Sequence, residues 1–122
     1  WLHTQKMREN FAQVYLAVNK KICYRRKGLQ IVYPAKPEDL VREGKSLHHC
    51  VGGYAERVAN GQCLILFLRH TEEPEKPFYT IEVRGDRVEQ VHGDHNSNPT
   101  PEVEQFIAQW KKRVLTPLFK AA

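Results

Sequence analysis

The sequence predicts an α+β fold: a small antiparallel sheet of about three to four strands packed against helices, with a long helix at each end. Three observations predict it. Apolar residues recur at helical spacing near both termini, Cys63-Leu64-Ile65-Leu66-Phe67-Leu68 is continuously apolar as a strand covered on both faces must be, and two further apolar segments flank the tight turn Arg84-Gly85-Asp86. Strands and helices are grouped rather than strictly alternating, which separates this class from a parallel α/β fold.

From about Thr4 to Cys23, the residues Met7, Phe11, Val14, Tyr15, Val18 and Ile22 form one stripe of a helix. The basic run Lys20, Lys21, Arg25, Arg26 and Lys27 complements the negative end of that helix, with Gly28 as its expected stop. Leu29 to Tyr33 reads as a strand ended by Pro34, and a short helix from Pro37 through Leu40 and Val41 is expected to end at Gly44. Val51, Tyr54, Ala55 and Val58 mark a second short helix closed by Asn60-Gly61. After the Cys63–Leu68 strand and a loop over 72–77, Phe78 to Val83 and Arg87 to His92 pair as a hairpin. Simple alternation puts Val88, Gln90 and His92 on one face and Arg87, Glu89 and Val91 on the other. Thr100-Pro101 caps a last helix whose stripe is Val103, Phe106, Ile107, Trp110, Val114 and Leu118, bent or ended by Pro117.

These elements read as one domain over residues 1–122, divided into a basic helical segment (1–28) and a core (29–122). The opening residue is Trp1, so the sequence is read as a fragment of a longer chain. The formal charge of +5 favours polyanionic partners, nucleic acid first among them. Cys23, Cys50 and Cys63 are odd in number and lack CxxC spacing, which argues against a disulfide framework and for a reducing cytoplasm. No apolar run approaches the roughly 18 residues of a membrane span, and no secretory leader pattern is present, so no membrane partner is expected.

Chemistry concentrates in Lys45 to Asn60, where His48, His49, Cys50 and Tyr54 fall within seven residues beside Gly52-Gly53. The ordinary reading of Cys50 is a small buried hydrophobe. A thiol placed just before a helix can instead be activated by the helix dipole and a histidine from another element, here His92 with Asn96 as an orienting group. His48, His49, Cys50, His92, Asp94 and His95 are also all permitted zinc ligands, and His92-x-Asp94-His95 lies on a loop between strand and helix. The last helix has no His or Asp on the face where a third ligand would be needed. Tyr24, Tyr33, Tyr54 and Tyr79 could stack on bases or serve as half-buried core residues.

The run Leu47-His48-His49-Cys50-Val51-Gly52-Gly53-Tyr54-Ala55-Glu56-Arg57-Val58 resembles the PcfJ-like family, as do Ile65-Leu66-Phe67-Leu68-Arg69, Pro77-Phe78-Tyr79-Thr80-Ile81-Glu82-Val83 and Pro101-Glu102-Val103. The resemblance implies a bacterial mobile-element setting of conjugative plasmids, integrated elements and phages, and a longer parent chain. It carries no established reaction. It places weight on His49, Cys50, Gly52 and Tyr54, and on Gln90, Gly93 and Asn96 at the hairpin end. It also implies arginine as a frequent occupant of the His92 position, which favours a phosphate contact there over a base.

The leading expectation is a nucleic-acid-associated accessory domain of a mobile element. It would bind DNA or RNA through Lys20, Lys21, Arg25, Arg26, Lys27, Lys45 and Arg57, with His49, Cys50, Tyr54, His92 and Asn96 converging on one cleft. Other mobile-element proteins are further candidate partners. No cofactor is called for, with a divalent metal as the open alternative. Whether the domain is an enzyme is left open: the alternatives are a Cys50 thiol hydrolase, a metal-dependent nuclease and a non-catalytic interaction domain. In the last of these the central motif is a folding signature.

Overall fold

A computed structural model describes residues 2–48 and 55–120 of the 122 in the chain. The residues at 49–54, which include His49, Cys50 and Tyr54, lie outside them. In chain order the elements are α1 (Leu2–Ile22), β1 (Arg25–Arg26), β2 (Leu29–Val32), α2 (Pro37–Leu47), α3 (Ala55–Ala59), β3 (Leu64–His70), β4 (Tyr79–Arg84) and β5 (Arg87–His92). A short 3-10 turn at Asp94–Asn96 then leads to α4 (Pro101–Trp110), which continues through a π-helical segment, Lys111–Leu115, into α5 (Thr116–Lys120). The class is α+β as expected. Among the described residues the sheet has five strands in the order β1-β2-β3-β4-β5, all neighbours antiparallel, rather than three to four.

The additional strand comes from the basic run. Arg25 and Arg26 pair with Gln30 and Leu29 across a two-residue turn in which Lys27 (φ 50°) and Gly28 (φ 80°) are both left-handed. Gly28 is thus a hairpin residue and not a helix stop. The last carbonyl of α1 is satisfied instead by the buried Trp110 indole, whose Nε1 donates to Ile22 O at 2.9 Å.

Strand alternation divides the core in two. Leu29, Ile31, Leu66, Leu68, Ile81 and Val83 face α4, where Val103, Phe106, Ile107 and Trp110 meet them. On the other face Ile65 and Phe67 pack with Phe11 of α1, Leu40 of α2 and Val58 of α3. β3 is therefore covered on both sides, as its continuous apolar sequence requires.

Three expectations are corrected. First, the β4–β5 register shifts, with Glu82 opposite Gln90 but Val83 opposite Val88, so Glu89 is an extra residue on β5. This bulge inverts the alternation: Val88 and Val91 both pack on the α4 side, while Gln90 and His92 share the face of Glu82 and Thr80. Second, α2 runs through Gly44 to Leu47, because Gly44 is buried inside the helix and the stop is His48, left-handed at φ 54° with its N–H on Gly44 O. Third, Pro117 does not end the last helix. The π-helical segment before it, with the Thr116 N–H on Lys111 O, changes the register where the proline ring would otherwise meet a carbonyl.

Candidate functional site

The end of α2 meets the loop after β5. That loop is seated on Tyr79: a Cβ at the buried Gly93 would lie 2.8 Å from the Tyr79 ring and 2.8 Å from Ser97 Oγ, so only glycine lets the backbone come this close. Gly93 N–H donates to Ser97 O at 2.9 Å, and Tyr79 OH donates to Asn98 O at 3.1 Å. Within this frame His95 (φ 53°) and Asn96 (φ 61°) both adopt left-handed backbone.

Asp94 is the hub. Its Oδ1 is 2.9 Å from His48 Nδ1 and 3.0 Å from His95 Nδ1, and the two imidazoles stack with centroids 4.3 Å apart and planes at 14°. The His48 hydrogen bond first, and then His95, hold the Asp94 carboxyl below its ordinary range. All three side chains are open to solvent.

A buried ion pair links α2 to β3. Arg69 donates from Nη1 and Nη2 to the two Glu43 oxygens at 2.7 and 2.6 Å, and from Nε to Pro74 O at 3.2 Å. Its guanidinium lies 4.7 Å from the Phe67 ring centroid, and Thr80 Oγ1 donates to Glu43 Oε2 at 3.4 Å. A cleft of about 370 Å³ opens beside the pair, with Tyr33, Asp39, Arg42 and Glu75 also on its walls. His92, half-buried, is the last residue of β5 and sits opposite Thr80.

The structure joins His48, at the start of the central stretch, to Asp94 in the loop after β5; the expected convergence of His49, Cys50 and Tyr54 with His92 and Asn96 falls on residues outside the described ones. His92 and Asn96 lie at that junction, Asn96 exposed and contributing its N–H to Gly93 O at 3.1 Å. The thiol reading rests on Cys50, which lies outside the described residues together with His49 and Tyr54. Glu43, Arg69 and Thr80 were not foreseen. The available signal was an arginine at the end of an apolar strand, in phase with the inward-facing Ile65 and Phe67.

The basic residues fall into two groups. Lys20 and Lys21 are exposed at the end of α1, with Arg25 and Lys27 exposed in the β1–β2 hairpin. The half-buried Arg26 donates through Nη1 to Gln109 Oε1 at 3.5 Å, and Arg113 donates through Nε to the same oxygen at 3.4 Å. A groove of about 340 Å³ runs between this hairpin and α4, with Glu102 as an acidic member of its wall. Lys45 and Arg57 are exposed on α2 and α3, which cover the opposite face. Two of the tyrosines considered for base stacking are core residues, Tyr33 and Tyr79 being 3% and 6% exposed, and Tyr24 packs on Phe106 at 5.5 Å.

The family described as PcfJ-like protein matches residues 2–108, so the match covers α1, the whole sheet and nearly all of α4. The chain belongs to the PcfJ-like family. An uncharacterised protein of Listeria innocua is similar to this PcfJ-like chain, with 36% identity over 85 residues. That alignment covers 68% of this chain and 19% of the Listeria protein, so the chain spans about a fifth of the length of that relative. No solved structure matches. Among the described residues, no helix is long and apolar enough to cross a membrane.

Proposed function

We propose that this PcfJ-like chain is a nucleic-acid-associated accessory domain of a bacterial mobile genetic element, binding the phosphate backbone of DNA or RNA. The observation that supports it best is the joining of two basic segments far apart in sequence. Gln109 holds Arg26 and Arg113 through one oxygen, so the Arg25–Lys27 hairpin and the π-helical segment with Lys111, Lys112 and Arg113 form one cationic surface beside the groove. Lys20 and Lys21 extend it along α1. Such a surface suits a polyanion, because cations gathered on folded elements lose less freedom on binding than cations in a tail. Base stacking has little part in this reading, since Tyr33 and Tyr79 are buried.

The test is a titration of labelled single- and double-stranded DNA and RNA at low and at physiological salt, with and without chelator. Salt-sensitive binding supports the reading. No binding of any of the four at low salt removes it.

A further inference from the structure

The geometry points to a divalent transition-metal site formed by His48, Asp94 and His95, taking an ion of the zinc, cobalt or nickel type. It does not depend on polyanion binding. The basic hairpin lies at the β1 edge of the sheet and the cluster follows β5, four strand spacings or roughly 19 Å across.

The three donors come from two elements, with His48 and Asp94 separated by 46 positions in the chain. All three can present a ligand atom within 4.8 Å of the others. Neighbouring ligands on a metal with bonds of about 2.0–2.1 Å stand roughly 3 Å apart. The Nδ1 to Oδ1 separations of 2.9 and 3.0 Å already have that spacing. An ion held by all three atoms requires the stacked imidazoles to turn about their side-chain torsions, because each nitrogen's lone pair lies in its own ring plane, and their exposure leaves room for that turn. The ion would replace the two N–H protons that now face one carboxylate oxygen.

The donor set selects the ion. Two imidazole nitrogens and one carboxylate oxygen suit borderline first-row cations, whereas magnesium and calcium favour oxygen throughout. With His48, Asp94 and His95 at 60%, 59% and 71% side-chain exposure, the remaining coordination positions open to solvent. An ion held this way keeps exchangeable positions, the condition for Lewis-acid use. The third donor is supplied by the C-cap of α2 and not by the last helix, where the sequence offers none.

The backbone also bears on this site. Both ligand histidines have left-handed backbone, a conformation that costs a non-glycine residue on the order of 1 kcal/mol and persists only where its surroundings impose it. The helix stop imposes it at His48, and the Gly93 seat on Tyr79 fixes the loop that carries His95.

The experiment is calorimetric titration of the chelator-stripped 122-residue chain with zinc chloride, and optical titration with cobalt chloride, near pH 7.5. His48→Asn, Asp94→Asn and His95→Asn are compared, asparagine being chosen because it tolerates left-handed backbone. One equivalent of metal is expected, with affinity lowered at least about tenfold in each variant. Thermal melting without metal should stay close to the parent, which shows that the variants fold. No saturable binding, or binding unchanged in Asp94→Asn and His95→Asn, overturns the site.

Discussion

Arg69 grips Glu43 with two parallel hydrogen bonds of 2.7 and 2.6 Å, in a place where the two side chains are only 9% and 1% exposed. The pair ties α2 to β3. Removing one partner strands the other charge away from water, so Arg69→Met should cost about 3–5 kcal/mol of stability in urea unfolding. The double variant Glu43→Leu/Arg69→Met removes both charges and should recover most of that loss. A single-variant loss below about 1 kcal/mol would mean that water already solvates the carboxylate.

Gly93 is required for space, since its φ of −97° is open to any residue. Gly93→Ala sets a methyl 2.8 Å from the buried Tyr79 ring, and something must shift. A destabilisation of about 1–3 kcal/mol is expected by thermal melting. The histidine resonances of His48 and His95 should move with the displaced loop, and an unshifted spectrum at parental stability would contradict the seat described here.

The fold was legible where a single physical requirement dominates. Phe11 and Trp110 are buried on the helical stripes that their spacing predicts, and Leu66 is buried in the continuously apolar strand. The β1 strand was not legible, because two arginines after a helix read as charges on its last turn, and only pairing with Gln30 and Leu29 makes them a strand. Nor was the bulge at Glu89, since alternation in sequence is silent about an inserted residue. For the candidate site, the residue types of the loop after β5 were legible, whereas the approach of His48 to Asp94 across 46 positions was not. The left-handed turn that brings His48 over Asp94 is a consequence of where α2 stops, three residues beyond the glycine expected to end it.

Among the described residues, the buried Tyr33 hydroxyl has no hydrogen-bond partner. Burial first, and the neighbouring Cys63 second, push its phenol well above the ordinary value of 10. The unfolded chain then releases this proton near pH 10 while the folded chain keeps it. Stability is complete below about pH 10 and declines as pH rises beyond it. Tyr33→Phe should be neutral or slightly stabilising at pH near 8 and should lessen the alkaline loss, as read by urea unfolding at pH values near 8 and near 11. An equal alkaline loss in both proteins would place the titrating group elsewhere.

The cationic surface is tested most directly by the salt dependence of nucleic-acid affinity in two charge reversals. Arg26→Glu lies in the hairpin joined to Arg113 through Gln109, and Lys45→Glu lies on α2 across the sheet. Arg26→Glu should weaken binding and lower the slope of log affinity against log salt by about 1 or more, while Lys45→Glu should leave the slope within error of the parent. A slope unchanged by Arg26→Glu, or one reduced only by Lys45→Glu, would contradict the cationic surface.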